Sequence, residues 1–254
     1  MTERLRGKRA LVYGGGTGIG LAMAQALHAQ GAAVVLSGRR EHVLAEAAAG
    51  FASAPPVSFA AGDASQPADV ERVTEQAVAF LGGLDTIVIS AGAGGRTPIL
   101  DTPPEEFRRI VDNNLMPAFL APRYGARHII AAGGGSIIIV SSMYGIVGQA
   151  ERVAYCGAKH GTNGMVKSMA LDLAASGVRV NAVCPGFVET PLAYEVAQRE
   201  SDPEAALEAK RRMHPIPRAG RLEEMGEIAV YLASDLSAFV TGQSIAVDGG
   251  YSTR

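Results

Sequence analysis

The chain has 254 residues, 48% of them hydrophobic, and a formal net charge of −2. This composition suits one substantial apolar core, and the near-neutral charge argues against a surface that tracks nucleic-acid phosphates. Two cysteines are too few for a disulfide framework and have no metal-ligand spacing. The polar N-terminus does not resemble a signal peptide, and no apolar run is long enough to span a membrane. We therefore expect a cytoplasmic protein that binds no metal, nucleic acid or membrane.

Short apolar runs alternate with longer amphipathic runs along the chain. Strands are predicted at 10–13, 33–37, 57–60, 86–90, 136–141, 178–183 and 244–247. Helices are predicted at 18–30, 41–49, 67–81, 104–130, 153–175, 191–212 and 222–233, with Pro117 or Pro122 as the candidate for a break. This order predicts an α/β fold with residues 1–254 in a single domain. Its core would be a doubly wound, Rossmann-type parallel sheet of about seven strands with helices on both faces.

The first predicted strand runs into a glycine-rich turn that precedes a helix, with the sequence Tyr13-Gly14-Gly15-Gly16-Thr17-Gly18-Ile19-Gly20. Such a turn predicts an anion site, because backbone N–H groups point at the ligand and the helix dipole favours negative charge. Glycines also let a pyrophosphate approach the backbone. The spacing is Gly-x-x-x-Gly-x-Gly rather than the commoner Gly-x-Gly-x-x-Gly. A flexible surface turn is the alternative.

The end of the second predicted strand bears on the choice between the two nicotinamide dinucleotides. An acidic residue there would bind the ribose 2′-hydroxyl and repel a 2′-phosphate. This chain has Arg39 and Arg40 instead, and guanidinium groups match phosphate oxygens with forked hydrogen bonds. The pair favours NADP(H), with NAD(H) as the second choice. The alternative is a solvated pair of arginines at the start of a helix.

Tyr155 and Lys159 stand one helical turn apart on the predicted helix at 153–175. A free phenol has a pKa near 10, so it is a poor base at neutral pH. A nearby ammonium would lower that pKa and let the phenol act as a general acid or base. The spacing is common by chance, and taken alone it is better explained as a surface pair.

Taken together, the motifs resemble the short-chain dehydrogenase/reductase family, and within it the 3-oxoacyl-carrier-protein reductases. The motifs, in chain order, are Gly14-x-x-x-Gly18-Ile19-Gly20, Asp63, Ala91-Gly92, Asn114, Ser142, Tyr155-x-x-x-Lys159 and Pro185-Gly186. They span the chain from about residue 8 to about residue 250. The chain departs from the family at Tyr13, where most relatives have threonine, and at Ser90, where they have asparagine.

The resemblance implies a role for each of four catalytic residues. Ser142 would hydrogen-bond the substrate oxygen, and Tyr155 would exchange the proton. Lys159 would bind the nicotinamide ribose and lower the pKa of Tyr155. Asn114 would hold a water that links Lys159 to a proton relay. From the residues alone, Ser142 could instead bond its own backbone, and Asn114 could cap a helix or a turn.

The resemblance also implies the residues that bind the dinucleotide. They are Gly14, Thr17, Gly18, Ile19, Gly20, Arg39, Arg40, Asp63, Ala64, Ala91, Gly92, Asn114, Tyr155, Lys159, Pro185, Gly186, Val188 and Thr190. Asp63 would bind the adenine, and the four residues from Pro185 onwards would contact the nicotinamide carboxamide. Thr190 could also cap the helix that follows it.

These implications predict an NADP(H)-dependent oxidoreductase that transfers a hydride between nicotinamide and a carbonyl or secondary alcohol, without a metal. Epimerisation or elimination on the same scaffold, and a non-catalytic NADP(H) sensor, are the alternatives. Substrate choice should lie in the loops at 94–99 and 143–152 and in a lid at 191–217. Arg96 or Arg152 could meet an acidic substrate, although solvated loop arginines are the simpler interpretation. The family likeness further implies a homotetramer.

Overall fold

The computed structural model describes residues 3–253 and contains one seven-stranded sheet. The strands are β1 (Arg9–Tyr13), β2 (Ala33–Gly38), β3 (Val57–Ala61), β4 (Thr86–Ile89), β5 (Gly135–Val140), β6 (Val178–Pro185) and β7 (Ser244–Val247). Their order is β3-β2-β1-β4-β5-β6-β7, and every neighbouring pair is parallel. The predicted doubly wound parallel sheet is confirmed.

In the described part of the chain, eight α-helices connect or follow the strands. They are α1 (Gly18–Ala29), α2 (Glu41–Ala49), α3 (Pro67–Leu81), α4 (Pro104–Ala131), α5 (Val153–Leu173), α6 (Pro191–Ala197), α7 (Pro203–Arg212) and α8 (Leu222–Ala233). Within residues 3–253, no helix combines the length and apolar character needed to cross a membrane. From β1 to β6 the strands and α-helices alternate as the sequence predicts, and three helices separate β6 from β7.

Two of the sequence expectations are corrected. Neither Pro117 nor Pro122 breaks α4, which continues through both. Each proline removes one backbone hydrogen bond, but both are buried where α4 packs into the core, and tertiary packing outweighs that loss. The segment 191–212 is two helices rather than one. Asp202 caps α7 by accepting a hydrogen bond from the Ala205 N–H at 3.0 Å, which starts a new helix there.

The two faces of the sheet carry separate apolar clusters. On β1, Leu11 and Tyr13 face the layer formed by α3, α4 and α5. Ala10 and Val12 point the other way, towards α1, α2 and α8. This follows from the strand repeat of two residues, which sends alternate side chains to opposite faces. Because both faces are covered, the central strands β1, β4 and β5 are mostly apolar, whereas β6 carries Arg179 and Asn181 among its apolar residues.

Successive strands are added in one direction from β1 to β3 and in the other direction from β4 onwards, so the strand order reverses at β1, which lies between β2 and β4. Beyond the carboxyl ends of these strands, the loops after β1 and β4 face each other, which is where ligands bind in open α/β sheets. The Ser90 N–H donates to the Tyr13 carbonyl at 2.8 Å and joins the two loops. The fold therefore places the glycine-rich turn and Ala91-Gly92 side by side.

The unusual Tyr13 points away from the glycine-rich turn and into the layer with α3. Its side chain is 1% exposed, and its hydroxyl lies 2.8 Å from Thr74 Oγ1 and 3.2 Å from the Val70 carbonyl. Burial raises the pKa of the phenol to about 12, so the group is neutral at physiological pH. Tyr13 therefore ties β1 to α3 and does not occupy the space of the turn. By contrast, no hydrogen bond from the Ser90 side chain is found within residues 3–253.

We expect Tyr13→Phe to lower the free energy of unfolding by about 1 kcal/mol, the usual net value of one hydrogen bond. Tyr13→Ala should cost about 3–5 kcal/mol, because it also leaves a cavity in the core. Urea unfolding followed by circular dichroism measures both. Equal losses in the two variants would contradict the packing role of the ring.

Candidate active site

The glycine-rich turn touches the loop after β4 along its backbone. Gly14 has a φ of +76°, and a Cβ there would lie 2.7 Å from the Ala91 nitrogen. Gly18 has a φ of +55°, and a Cβ there would meet Thr190 at 3.5 Å. Only glycine satisfies both the backbone angle and the close approach at Gly14. The turn therefore brings together the loops that follow β1, β4 and β6.

The N-terminus of α1 is open to an anion. Thr17 is the N-cap residue, it is exposed, and its side chain makes no capping hydrogen bond. No acidic residue lies in the first turn of α1. The first backbone N–H groups of the helix thus lack a side-chain acceptor among the residues that the structure describes. This arrangement, with Ile19 and Gly20 in the same turn, fits the pyrophosphate of a dinucleotide.

Arg39 and Arg40 follow β2 at the same edge of the sheet. Both are exposed, and within residues 3–253 neither forms an ion pair or a side-chain hydrogen bond. Their charges are therefore available to a phosphate. The neighbouring Ser37 Oγ is buried without a partner in the described part of the chain, while the Ser37 carbonyl accepts from the Gly14 N–H at 2.8 Å.

Asp63 and Ala64 come directly after β3, also at this edge. Asp63 Oδ1 accepts hydrogen bonds from the Ser65 N–H at 2.9 Å and the Ser65 hydroxyl at 2.8 Å. The Asp63 N–H donates to Asp69 Oδ2 at 2.9 Å. One carboxylate oxygen is therefore used by the local turn. Ala64 is 8% exposed and packs against the core.

Ser142 lies just past β5, and its hydroxyl has two neighbours. Its Oγ accepts a hydrogen bond from the Tyr144 N–H at 3.1 Å, which is the local bond expected of a serine at a strand end. The same hydroxyl interacts with the Tyr155 phenol. The local backbone bond of Ser142 therefore leaves its hydroxyl beside the Tyr155 phenol.

Tyr155 and Lys159 lie on one face of α5, with the Lys159 ammonium 5.7 Å from the centre of the Tyr155 ring. Lys159 is 5% exposed and donates to the Val140 carbonyl at 3.0 Å. Burial lowers the pKa of Lys159 to about 8. Burial also raises the pKa of Tyr155, and the smaller opposing effects come from Ser142 and Arg152. The expected lowering of the Tyr155 pKa by Lys159 is therefore wrong for the protein alone, because desolvation dominates.

Asn114 lies in the middle of α4, so it does not cap a helix. Its Nδ2 donates to the Ala93 and Ile110 carbonyls, each at 2.8 Å. Its Oδ1 is buried and has no partner within residues 3–253. A Cβ on Gly92 would lie 2.7 Å from this oxygen and 3.5 Å from Lys159 Nζ. An unsatisfied acceptor and an ammonium thus converge beside Gly92, as a bridging water would require.

The loop after β6 reaches from Pro185 to Thr190. A Cβ on Gly186 would lie 2.7 Å from His214 Nε2, so the loop passes close to the end of α7. Val188 is 6% exposed and pairs with Gly220 in an isolated bridge. Thr190 caps α6, because its Oγ1 accepts from the Ala193 N–H at 3.2 Å. The capping alternative for Thr190 is confirmed.

His214 has a structural role that the sequence analysis did not identify. The buried imidazole accepts from the Phe187 N–H at 3.0 Å through Nε2, and its Nδ1 lies 3.0 Å from the Lys210 carbonyl. A carbonyl can only accept and a backbone N–H can only donate, so Nδ1 donates to the Lys210 carbonyl and Nε2 accepts from the Phe187 N–H. His214 therefore joins α7 to the loop after β6. No motif or periodicity marks it in the sequence.

The rings of Tyr144, Tyr251 and His214 form an aromatic wall next to the Tyr155 phenol. The Tyr144 ring centre is 6.4 Å from that of Tyr155 and 6.2 Å from that of Tyr251. The Tyr251 and His214 rings are 5.5 Å apart, and His214 holds the backbone of Phe187. The segments 143–152 and 191–217 were predicted to lie beside the substrate, but a contribution from Tyr251, near the C-terminal end of the chain, was not predicted.

This geometry agrees with the comparisons to known proteins. A family model described as enoyl-(acyl carrier protein) reductase matches residues 14–252. The chain belongs to the short-chain dehydrogenase/reductase family. Members of this family bind a nicotinamide cofactor, and the chain is an oxidoreductase that acts on CH–OH groups.

Three relatives are similar over nearly their whole length. The chain is 38% identical to a cis-4-hydroxycyclohexanecarboxylate dehydrogenase of Sinomonas cyclohexanicum, over 99% of each protein. It is 37% identical to an NADP-dependent (R)-specific alcohol dehydrogenase of Lentilactobacillus kefiri, over 100% of each. The ligand-free structure of an aldohexose dehydrogenase from Thermoplasma acidophilum superposes with a TM-score of 0.90. It is 30% identical, and the alignment covers 100% of this chain and 97% of that one.

The buried Lys159 should make stability depend on pH. Its pKa is about 8 in the folded protein and near 10.5 when exposed. Between these two pH values, Lys159 is protonated in the unfolded chain but largely deprotonated in the folded protein. The free energy of unfolding therefore rises with pH across this window. Relative to Lys159→Met, the wild-type free energy of unfolding should increase by up to about 3 kcal/mol from pH 7 to pH 10.5.

Urea unfolding at a series of pH values measures this difference. Lys167→Met, on the exposed side of the same helix, is the matched control and should track the wild type at every pH. Parallel curves for the wild type and Lys159→Met would show that the ammonium is not buried.

Proposed function

We propose that the enzyme transfers a hydride between NADP(H) and a carbonyl or secondary alcohol, with Tyr155 as the general acid and base. The observation that supports this most strongly is the arrangement of Ser142, Tyr155 and Lys159 beside the glycine-rich turn. The two curated relatives described above are named as dehydrogenases of alcohols, which agrees with a hydroxyl-bearing substrate.

Two side chains of the enzyme act on the same substrate oxygen. The Ser142 hydroxyl and the Tyr155 phenol both donate to that oxygen and stabilise the charge that develops on it. In reduction, Tyr155 gives its proton to the oxygen, and its raised pKa keeps it protonated at neutral pH. In oxidation, Tyr155 takes the proton back. The nicotinamide, when bound, supplies or accepts the hydride and adds a positive charge that favours the phenolate.

Lys159 and Asn114 support this proton transfer without touching the substrate. Lys159 would bind the nicotinamide ribose hydroxyls with the N–H groups that Val140 does not use. Asn114 Oδ1, which lacks a partner among residues 3–253, would accept from a water that also contacts Lys159. That water would connect the site to solvent. The remaining dinucleotide contacts would come from Gly14, Thr17, Gly18, Ile19, Gly20, Asp63, Ala64, Ala91, Gly92, Pro185, Gly186, Val188 and Thr190.

Tyr155→Phe should lower kcat by about 10²–10⁴-fold or more, because the variant loses the group that exchanges the proton. Binding of NADPH, measured by its fluorescence, should change little. Tyr231→Phe, on α8, is the control and should retain activity. Retained turnover by Tyr155→Phe would refute the acid/base assignment. A screen of ketones, ketoacyl and enoyl thioesters and quinones provides the substrate, with consumption of NADPH as the readout.

The same screen separates the alternatives. Epimerisation or elimination on this scaffold would convert substrate without net consumption of NADPH. A non-catalytic sensor would bind the dinucleotide and consume none with any compound. The combination of Ser142, Tyr155 and Lys159 argues against the sensor, because binding alone requires no proton donor at that place.

The preference for NADP(H) rests on Arg39 and Arg40. Both guanidinium groups are exposed, and neither is paired within residues 3–253, at the strand end where the adenosine ribose lies in Rossmann folds. A 2′-phosphate would find two forked donors there and no carboxylate to repel it.

Arg39→Asp should shift the ratio of kcat/KM for NADPH to that for NADH towards NADH, by about tenfold or more. The carboxylate would repel the 2′-phosphate and bond the 2′-hydroxyl. Arg4→Asp makes the same charge change at an exposed N-terminal site and should leave the ratio unchanged. An unaltered ratio in Arg39→Asp would count against the assignment.

We further propose that residues 1–254 act as one domain, with 191–217 as a lid, and that four copies assemble. Large apolar side chains on α4, α5 and the segment after α8 are exposed, and they would be covered in a homotetramer. These side chains are Phe107, Phe119, Leu171, Leu236 and Phe239. Sedimentation equilibrium measures the assembly, and a stable monomer would exclude it. The cytoplasmic location stays a prediction from composition.

A further inference from the structure

Two half-buried cations flank the aromatic wall. Arg152 directly precedes α5, and its guanidinium carbon lies 5.5 Å from the centre of the Tyr144 ring. Lys210 lies on α7, and its ammonium is 5.5 Å from the centre of the Phe187 ring. The two side chains come from separate elements: Arg152 lies against a ring of the wall, and Lys210 lies against the ring of Phe187, whose N–H bonds His214.

A series of contacts connects each cation to the Tyr155 ring. Tyr144, beneath Arg152, neighbours Tyr155 at 6.4 Å. Phe187, beneath Lys210, is held by His214, which packs through Tyr251 onto the other side of Tyr144. Arg152 is also close enough to Tyr155 to favour its ionised form. Arg152 thus lies beside the Tyr155 phenol, and Lys210 lies within reach of the Arg152 charge.

Neither cation has a carboxylate partner in the part of the chain that the structure describes. Arg152 donates to the Gly95 carbonyl at 3.2 Å and forms no ion pair there. The Lys210 ammonium forms neither a hydrogen bond nor an ion pair within residues 3–253. The next residues of the same helix are different, because Arg211 bonds Glu189 and Glu204, each at 2.7 Å, and Arg212 bonds Glu208 at 2.7 Å.

The two charges also disfavour each other. The pKa of Lys210 is lowered first by burial and then by Arg152, with a smaller effect from Arg96 and an opposing one from Glu200. Arg96 forms an ion pair with Glu151, so its charge is largely compensated. Partly desolvated like charges without a counter-ion are costly, and an anion between them would remove that cost.

We propose that Arg152 and Lys210 bind a carboxylate of the substrate, so that the enzyme interconverts a hydroxy acid and the corresponding oxo acid. The inference rests on the proposed hydride transfer and names its substrate class. Arg152 offers a forked pair of donors to the carboxylate and Lys210 a point charge, while the aromatic wall contacts the carbon skeleton. The hydroxy acid and NADP⁺ give the oxo acid, NADPH and one proton, which leaves through Tyr155.

Matched substrates test this proposal. We expect wild-type kcat/KM for 4-oxocyclohexanecarboxylate and 3-oxobutanoate to exceed that for their methyl esters by about tenfold or more. Lys210→Met and Arg152→Met should each reduce this acid-to-ester ratio by about tenfold, mainly through KM for the acid. Arg152→Lys should restore part of it. Arg212→Met removes one charge from the same helix as Lys210, away from the wall, and should leave the ratio unchanged.

Binding of an unreactive acid tests the site without turnover. Calorimetry on the NADP⁺-saturated enzyme should detect cyclohexanecarboxylate binding at least about tenfold tighter than cyclohexanecarboxamide, with the difference lost in Lys210→Met. Reduction of the esters as efficiently as the acids, or equal binding of acid and amide, would overturn the carboxylate site and leave the proposed reaction standing. Selective acid binding without consumption of NADPH by any carbonyl compound would instead refute the proposed reaction.

Discussion

The organisation of the site depends on one buried ammonium. Lys159 loses most of its hydration in the core and recovers one hydrogen bond, to the Val140 carbonyl at the end of β5. An ammonium has three donors, so the other two must find acceptors at the cleft. The Lys159 nitrogen lies 3.5 Å from the position that a Cβ on Gly92 would take, and the unsatisfied Asn114 Oδ1 lies 2.7 Å from the same position. The protein thus keeps unmet hydrogen-bonding capacity on both sides of one small gap, which a bound ribose and a water can fill.

The fold could be predicted from sequence because its strands are buried on both faces and flanked by turns. The β4 segment, for example, is fully buried and apolar from Ile87 to Ile89, and the glycine pair Gly82-Gly83 lies shortly before it. The errors lie where tertiary packing overrides local preference. Pro117 and Pro122 remain inside α4 because the helix is pressed into the core on both sides of them. The break between α6 and α7 depended on recognising Asp202 and Pro203 as a helix start.

The candidate site was predictable to the extent that its residues belong to ordered motifs. Ser142, Tyr155 and Lys159 could be proposed as neighbours because a strand end and a helix face meet in this fold. The direction of the Tyr155 pKa could not, because it depends on how far burial outweighs nearby charge, and a sequence does not give burial of a single hydroxyl. Tyr251 and Lys210 reach the wall from distant segments, and no spacing rule connects them to Tyr155.

His214 has a mechanical consequence for the whole substrate side of the cleft. Both imidazole nitrogens are hydrogen-bonded, one to the carbonyl of Lys210 and one to the N–H of Phe187. A single ring therefore connects the end of α7 to the loop after β6. A movement of α7 must therefore carry the loop after β6 with it or break one of these hydrogen bonds. Under the proposed function, a nicotinamide held by that loop and a substrate held by α7 would therefore be linked through this ring, and by thermodynamic reciprocity any effect of one ligand on the affinity of the other would be equal in both directions.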